Sequence, residues 1–133
     1  MTPEQKRAFL KAPHLADLAT LLPDGSPHAT PVWHHYERGR FYVLSEAGSV
    51  KVRNIARDPR VCLTVASREP PYGYVMATGR VELSRKRIPE LVFKMSVNYL
   101  GDDEGRRYAK SVKDVDFVVI ELKPSKTIAW SGD

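Results

Sequence analysis

The residues best placed to act together are Ser45, Gly48, Ser49 and Lys51. A serine ends an apolar stretch, a glycine lets the chain turn, a second serine can cap a helix, and a lysine follows in the first turn. Free N–H groups and the macrodipole at a helix start favour negative charge, and Lys51 adds a point charge. The chemistry this permits is capture of an anionic group such as phosphate. The plainer reading, a capped helix carrying a solvated lysine, stays open on the residues alone.

The other constellations are weaker. His28, His34, His35 and Cys62 are metal-ligand types. However, His34 and His35 are neighbours on an expected strand and point to opposite faces, and no C-x-x-C, H-x-x-x-H or paired-carboxylate spacing accompanies them. They read as surface or interface histidines, and no metal is expected. Cys62 lies in the run Arg60-Val61-Cys62-Leu63-Thr64-Val65-Ala66, which makes it a buried reduced thiol rather than a nucleophile. There is no G-x-S-x-G elbow and no glycine fingerprint of a dinucleotide or P-loop site.

Two basic clusters, Lys51/Arg53/Arg57/Arg60 and Arg80/Arg85/Lys86/Arg87, raise nucleic-acid binding as a rival. Glu82, Glu90 and Asp102-Asp103-Glu104 interrupt any continuous basic stripe. Solvated charged faces are the simpler account, and no nucleic-acid partner is expected.

The elements that must position these residues follow from punctuation and periodicity. Thr2 caps a helix with Pro3 at its first position and Gln5 three residues after the cap, running to about Leu10 before Pro13. Residues 14–22 and 27–36 flank the turn Pro23-Asp24-Gly25 and read as a hairpin. Phe41-Tyr42-Val43-Leu44-Ser45 continues the meander. Ser49 caps a two-turn helix that carries Val52, Ile55 and Ala56 inward and stops before Pro59. Strands follow at 61–66 and 74–83.

Beyond Ser84, again a capping type, Ile88, Leu91, Val92, Met95 and Tyr99 recur at helical spacing up to Leu100-Gly101. Residues 103–112 form a further short helix. Residues 116–122 and 126–130 read as a closing pair of strands around Pro124. Six or seven short strands with one substantial helix make a small β-barrel with helices over its openings.

The 133 residues suffice for one domain, 1–133, with one core. Twenty-one Lys and Arg against 16 Asp and Glu give a net charge of +5 and a pI near 9.4, a preference for anionic partners. Residues 1–11 lack the apolar core of a signal peptide, and no stretch has the length of a membrane span. The expectation is a soluble cytoplasmic protein that does not engage a membrane.

The segments Leu18-Ala19-Thr20-Leu21-Leu22-Pro23-Asp24-Gly25-Ser26-Pro27-His28-Ala29-Thr30-Pro31-Val32-Trp33, Gly39-Arg40-Phe41-Tyr42-Val43 and Lys51-Val52-Arg53-Asn54-Ile55-Ala56-Arg57-Asp58-Pro59-Arg60-Val61 together resemble the pyridoxamine 5'-phosphate oxidase-like flavin-binding split-barrel superfamily. More narrowly, they resemble its branch of flavin- and deazaflavin (coenzyme F-420)-dependent oxidoreductases. Gly79-Arg80-Val81-Glu82-Leu83, Tyr99-Leu100-Gly101 and Val118-Val119-Ile120-Glu121-Leu122-Lys123-Pro124 extend the resemblance over nearly the whole chain.

The resemblance implies a mostly β, six-stranded split barrel with flanking helices, a homodimer, and one cofactor in each of two interface grooves. Lys51 would hold the cofactor phosphate, assisted by Ser45 and Ser49. Thr30, Pro31, Val32 and Trp33 would line the flavin-type ring, and Met76, Ala77 and Trp130 of the partner would close the groove.

The vitamin-processing oxidases of the superfamily carry an Arg-Lys pair at the phosphate site, whereas Val50 precedes Lys51 here. That departure removes a bidentate phosphate contact. It moves the expectation from FMN to deazaflavin, whose anionic polyglutamate tail suits the positive charge, with FMN the alternative. The implied activity is hydride transfer to a small conjugated acceptor, with Tyr36, His34 and Tyr72 as candidate proton donors or, equally, as barrel-face packing and loop aromatics. A non-catalytic cofactor carrier is the implied alternative.

Overall fold

The computed structural model describes residues 1–132. Helix α1 (Pro3–Lys11) opens with the full capping box. Gln5 N–H donates to Thr2 Oγ1 at 3.1 Å, and Thr2 N–H donates to Gln5 Oε1 at 2.9 Å. Its last turn drives Leu10, 1% exposed, into the main core.

Strands β1 (Ala16–Leu21) and β2 (Pro27–Val32) form the expected hairpin. Gly25, at φ +85°, supplies the left-handed turn position. β3 (His35–Glu37), β4 (Arg40–Glu46), α2 (Val50–Arg57), β5 (Arg60–Ala66) and β6 (Gly73–Ser84) follow. The chain ends with α3 (Ile88–Leu100), α4 (Asp102–Ser111), β7 (Phe117–Leu122) and β8 (Lys126–Ser131).

All pairings are antiparallel, in the order β2-β1-β5-β6-β7-β4-β3, with β8 also on β6. Only Trp33 and His34 separate β2 from β3 along the chain, so the sheet curls until its ends are nearly joined. A curled antiparallel sheet with flanking helices is consistent with a split barrel.

Period-two side chains explain the interior. Ala16 and Leu18 of β1, Leu63 and Val65 of β5, and Val75 and Ala77 of β6 are at most 2% exposed and meet Phe41, Val43, Ile120 and Leu122 there. Each large aliphatic side chain buried in this way contributes about 1.5–3 kcal/mol. Ile55 of α2 joins this core, while Leu91 and Met95 of α3 form a second cluster with Tyr42 and Val119 on the outside of the sheet.

Eight strands stand where six or seven were expected, because one extended stretch is cut in two, and the closing strands pair differently from expectation. The expected strand 27–36 breaks at Trp33-His34, where His34 turns inward and its Nε2 reaches Leu10 O at 2.9 Å. The expected closing pair 116–122 and 126–130 is not a pair. Leu122 lies opposite Val81 and Lys126 opposite Thr78, so β7 and β8 run in succession along β6, interrupted at Lys123-Pro124-Ser125. Pro124 cannot donate a ladder hydrogen bond.

Three smaller expectations are corrected. Ser84 ends β6 and caps no helix. α3 instead starts after Arg87, which sits at φ 62° without a side-chain cap. In α2 the inward set is Val52, Asn54 and Ile55, whereas Ala56 is exposed. Asn54 is tolerated there because its Nδ2 donates to Thr20 Oγ1 at 3.0 Å and its Oδ1 accepts from Arg57 at 2.9 Å. Cys62 is only partly buried, on the outer face of β5.

Candidate functional site

The end of β2, the start of α2 and the α3–α4 hairpin enclose a cleft of about 340 Å³, within the range of ligand sites. Pro31, Val32, Trp33 and Lys51 line it together with Leu15, Leu44, Val92, Met95, Ser96, Tyr108, Val112 and Phe117. Four of the ten expected binding residues therefore converge on one apolar cleft with a single cation in its wall.

Local chemistry prepares the Lys51 end for an anion. Ser49 caps α2 by accepting from Val52 N–H at 3.3 Å, and Ser45 Oγ stands 2.8 Å from Ser49 Oγ. Two hydroxyls sharing one hydrogen bond leave one proton to donate elsewhere. The first turn of α2 carries no acidic residue. Lys51 there opposes the macrodipole, and a bound anion would offset that cost of roughly 0.3–1 kcal/mol. No acidic side chain of the described residues pairs with Lys51.

Thr30, Ser45 and Ser49 fall outside the lining. Ser45 and Ser49 form the support of the α2 start, and Thr30 immediately precedes Pro31 on β2. Thr30 Oγ1 and His28 Nδ1 are the two side-chain atoms of the described residues that are buried without a partner. A buried hydroxyl left unpaired costs about 1–3 kcal/mol, so Thr30 marks a place where a ligand acceptor or donor would be gained. β2 pairs with β1 alone, which leaves main-chain groups free along its other edge.

A family model for pyridoxamine 5'-phosphate oxidase matches residues 2–131. The chain belongs to the pyridoxamine 5'-phosphate oxidase family. This is a flavin-binding family, and the donor set fits such a group: a cation without a counter-ion, a spare hydroxyl proton, an orphaned threonine and a free strand edge.

Solved structures share the fold of this pyridoxamine 5'-phosphate oxidase family member. A conserved hypothetical protein, Rv2991 from Mycobacterium tuberculosis, superposes with a TM-score of 0.84 at 23% identity, covering 99% of this chain and 86% of that one. An F420 reductase gives 0.74 at 23% identity, covering 92% and 94%. An FAD-binding protein from Mesorhizobium loti gives 0.67 at 19% identity, covering 97% and 92%. No curated protein matches the chain.

The residues expected from a partner subunit lie elsewhere in this family member. Met76 and Trp130 are on the outer face of the sheet, where Met76 is opposite Ile128 and Tyr74 is opposite Trp130. Trp130 is 48% exposed, and Ile128 is also exposed. Ala77 differs: its side chain is fully buried in the core and its backbone is paired with Leu63 and Thr127. It is therefore a core residue that cannot close a groove.

The expected proton donors do not face the cleft. His34 and Tyr36 line a different cavity, and Tyr72 stands exposed in the loop before β6. The aromatic residues of the cleft are Trp33 and Tyr108. Trp33 stacks on Tyr99 with centroids 5.0 Å apart, and Tyr108 meets Trp33 edge-on at 5.5 Å.

Tyr108, Val112 and Ser96 were not singled out from the sequence. The signal that marks them is Gly105 inside a helix, a position that costs about 1 kcal/mol unless close packing requires it. Here a Cβ would stand 2.6 Å from Ser96 O and from Val97 Cα. Gly105 therefore sets how closely α4 presses its Tyr108 and Val112 against α3.

Among the described residues no group of three or more His, Cys, Asp or Glu is arranged to hold a metal, and no helix is long and apolar enough to cross a membrane.

Proposed function

We propose that this protein is an oxidoreductase that holds deazaflavin coenzyme F-420 and reduces a small conjugated acceptor, acting as a homodimer. The supporting observation is the convergence of Lys51, without a counter-ion, with Pro31, Val32 and Trp33 on one apolar cleft. When bound, the cofactor supplies the hydride chemistry.

The chain's own residues bind and orient it. Lys51 takes the phosphate, with the Ser45–Ser49 pair donating its spare proton beside it. Thr30 and the free edge of β2 meet polar atoms of the ring. Trp33, Val92, Met95 and Tyr108, which line the cleft, would exclude water from the bound ring. Val50, which is 37% exposed where an arginine would grip FMN, favours the deazaflavin.

The homodimer reading is supported by the outer sheet face where Met76, Ile128 and Trp130 stand on neighbouring strands, exposed apolar surface of the kind that marks an interface. Met76 and Trp130 of the second subunit would then close the groove.

FMN is the second reading, favoured by membership of a flavin-binding family. Titration with both cofactors separates the two: quenching of added deazaflavin at micromolar protein is expected, with weaker binding of FMN. Tighter FMN binding would select the second reading. Lys51→Ala should abolish deazaflavin binding, and unchanged binding would refute the assignment of Lys51. Oxidation of reduced deazaflavin only when an acceptor is added distinguishes a reductase from a carrier.

A further inference from the structure

A second cavity, of about 660 Å³, opens between the end of α1, β3 and α3. Its lining sets apolar Leu10, Tyr36 and Met95 beside the buried His34, and Lys11 and Arg38 stand among the lining residues. Met95, 3% exposed, also lines the cofactor cleft. It is thus the partition between the two spaces.

The charges of this cavity are unevenly matched. Its acid, Glu37, is taken up by Arg87 at 3.1 and 3.2 Å and by His35 at 3.2 Å. Lys94 is held by Glu90 at 2.8 Å. Lys11 and Arg38 have no acidic partner among the described residues. Lys11 has a structural use, because a cation complements the C-terminus of α1.

Arg38 has none, and its backbone carries a cost. It sits at φ 52° in the two-residue turn Arg38-Gly39 between β3 and β4. Asn or Gly adopts that conformation far more readily. A positive-φ residue that places an exposed arginine, without an acidic partner, in the lining of this cavity is the kind of outlier from which function is inferred.

We propose that this second cavity binds a small amphiphile with a carboxylate head and an apolar body, the head meeting Arg38 and Lys11 and the body lying on Tyr36 and Met95. The site is independent of the cofactor reading. Its ligand would touch the cofactor cleft only through Met95.

Octanoate is the probe, titrated into protein labelled with ¹³C at the methionine methyl groups. The Met95 resonance should move saturably, while that of Met76 on the far outer face should not. Octanol and octylammonium should bind at least tenfold more weakly, since each lacks the carboxylate charge.

Arg38→Asn creates the preferred Asn-Gly turn, so the fold is kept while the charge is lost. The half-saturating concentration of octanoate should then rise roughly tenfold. No movement of Met95 at millimolar octanoate, equal movement of Met76, or unchanged affinity in Arg38→Asn would overturn the proposal. Lys51→Ala should leave octanoate binding intact. Its loss there would put the ligand in the cofactor cleft and likewise refute the second site.

Discussion

The Tyr99 hydroxyl stands 3.0 Å from His34 Nδ1 and 2.7 Å from His14 O, which leaves one phenolic proton with two acceptors. His34 Nε2 lies 2.9 Å from Leu10 O, which can only accept, so Nε2 carries the proton of the neutral ring. Nδ1 then needs the Tyr99 proton, in competition with the His14 carbonyl. Protonating His34 would satisfy every partner, but burial opposes it and pushes the imidazole down to about 4. The ring that breaks β2 from β3 is thus neutral at pH 7.

Stability should therefore fall as the pH drops from about 6.5 to about 4. The unfolded chain binds a proton at His34 across that window while the folded chain does not, so the neutral ring stabilises the fold fully only above the unfolded pKa. The loss is at most roughly 3 kcal/mol, at about 1.36 kcal/mol per pH unit. His14, lowered by burial, acts with the same sign. Glu37 and Glu90, each held at about 2 mainly by hydrogen bonds from Arg87, lose their contribution only below about pH 4.5. Urea unfolding at pH 7.5, 5.5 and 4 should show the slope, and His34→Gln should flatten most of it.

Gly105→Ala tests the seating of α4. The added Cβ would meet Ser96 O and Val97 Cα, both at 2.6 Å and both backbone atoms that cannot rotate aside. Overpacking of this kind costs about 1–3 kcal/mol. Because Tyr108 and Val112 ride on α4, the cleft should also widen. Thermal unfolding should show a lower Tm, and cofactor affinity should drop with it. A lower Tm with undiminished affinity would mean that α4 does not shape the site.

What could be read from the sequence was what neighbouring residues decide. The Thr2 and Ser49 caps lie within three residues of their partners, and the β1–β2 hairpin follows from alternation across Asp24-Gly25. The break at His34 was not legible, since its cause lies 24 residues away at Leu10 and 65 away at Tyr99. The place of Lys51 in the first turn of α2 was legible because a helix start is a local signal. Tyr108 escaped because only the α3–α4 packing brings it to Trp33. The resemblance placed Ala77 at a partner's groove, and alternation alone does not say which set of β6 faces inward; here that set includes Val75 and Ala77.

Val50→Arg should convert the preference of the site. Val50 is the first residue of α2, exposed and adjacent to Lys51. A guanidinium there adds a bidentate phosphate contact that a lone lysine cannot supply. FMN affinity should rise about tenfold or more, the scale of one charge-assisted hydrogen bond, as read by quenching of flavin fluorescence. No gain would mean that the phosphate does not lie against the first turn of α2.

Trp130→Glu tests the uncovered sheet face. The indole stacks on Tyr74 at 6.0 Å and rests against Gly132, yet remains 48% exposed. The fold itself therefore loses little from the change, and the variant should unfold within about 1 kcal/mol of the parent, as surface changes usually do. Burying a carboxylate in an apolar interface without a partner is costly, so light scattering should show a dimer for the parent and a monomer for the variant. Leu100→Glu, at another exposed apolar residue on α3, should remain dimeric. Cofactor affinity should fall with the dimer, because the groove loses Met76 and Trp130 of the second subunit. A parent that is already monomeric, yet binds cofactor tightly, would mean that one chain supplies the whole site.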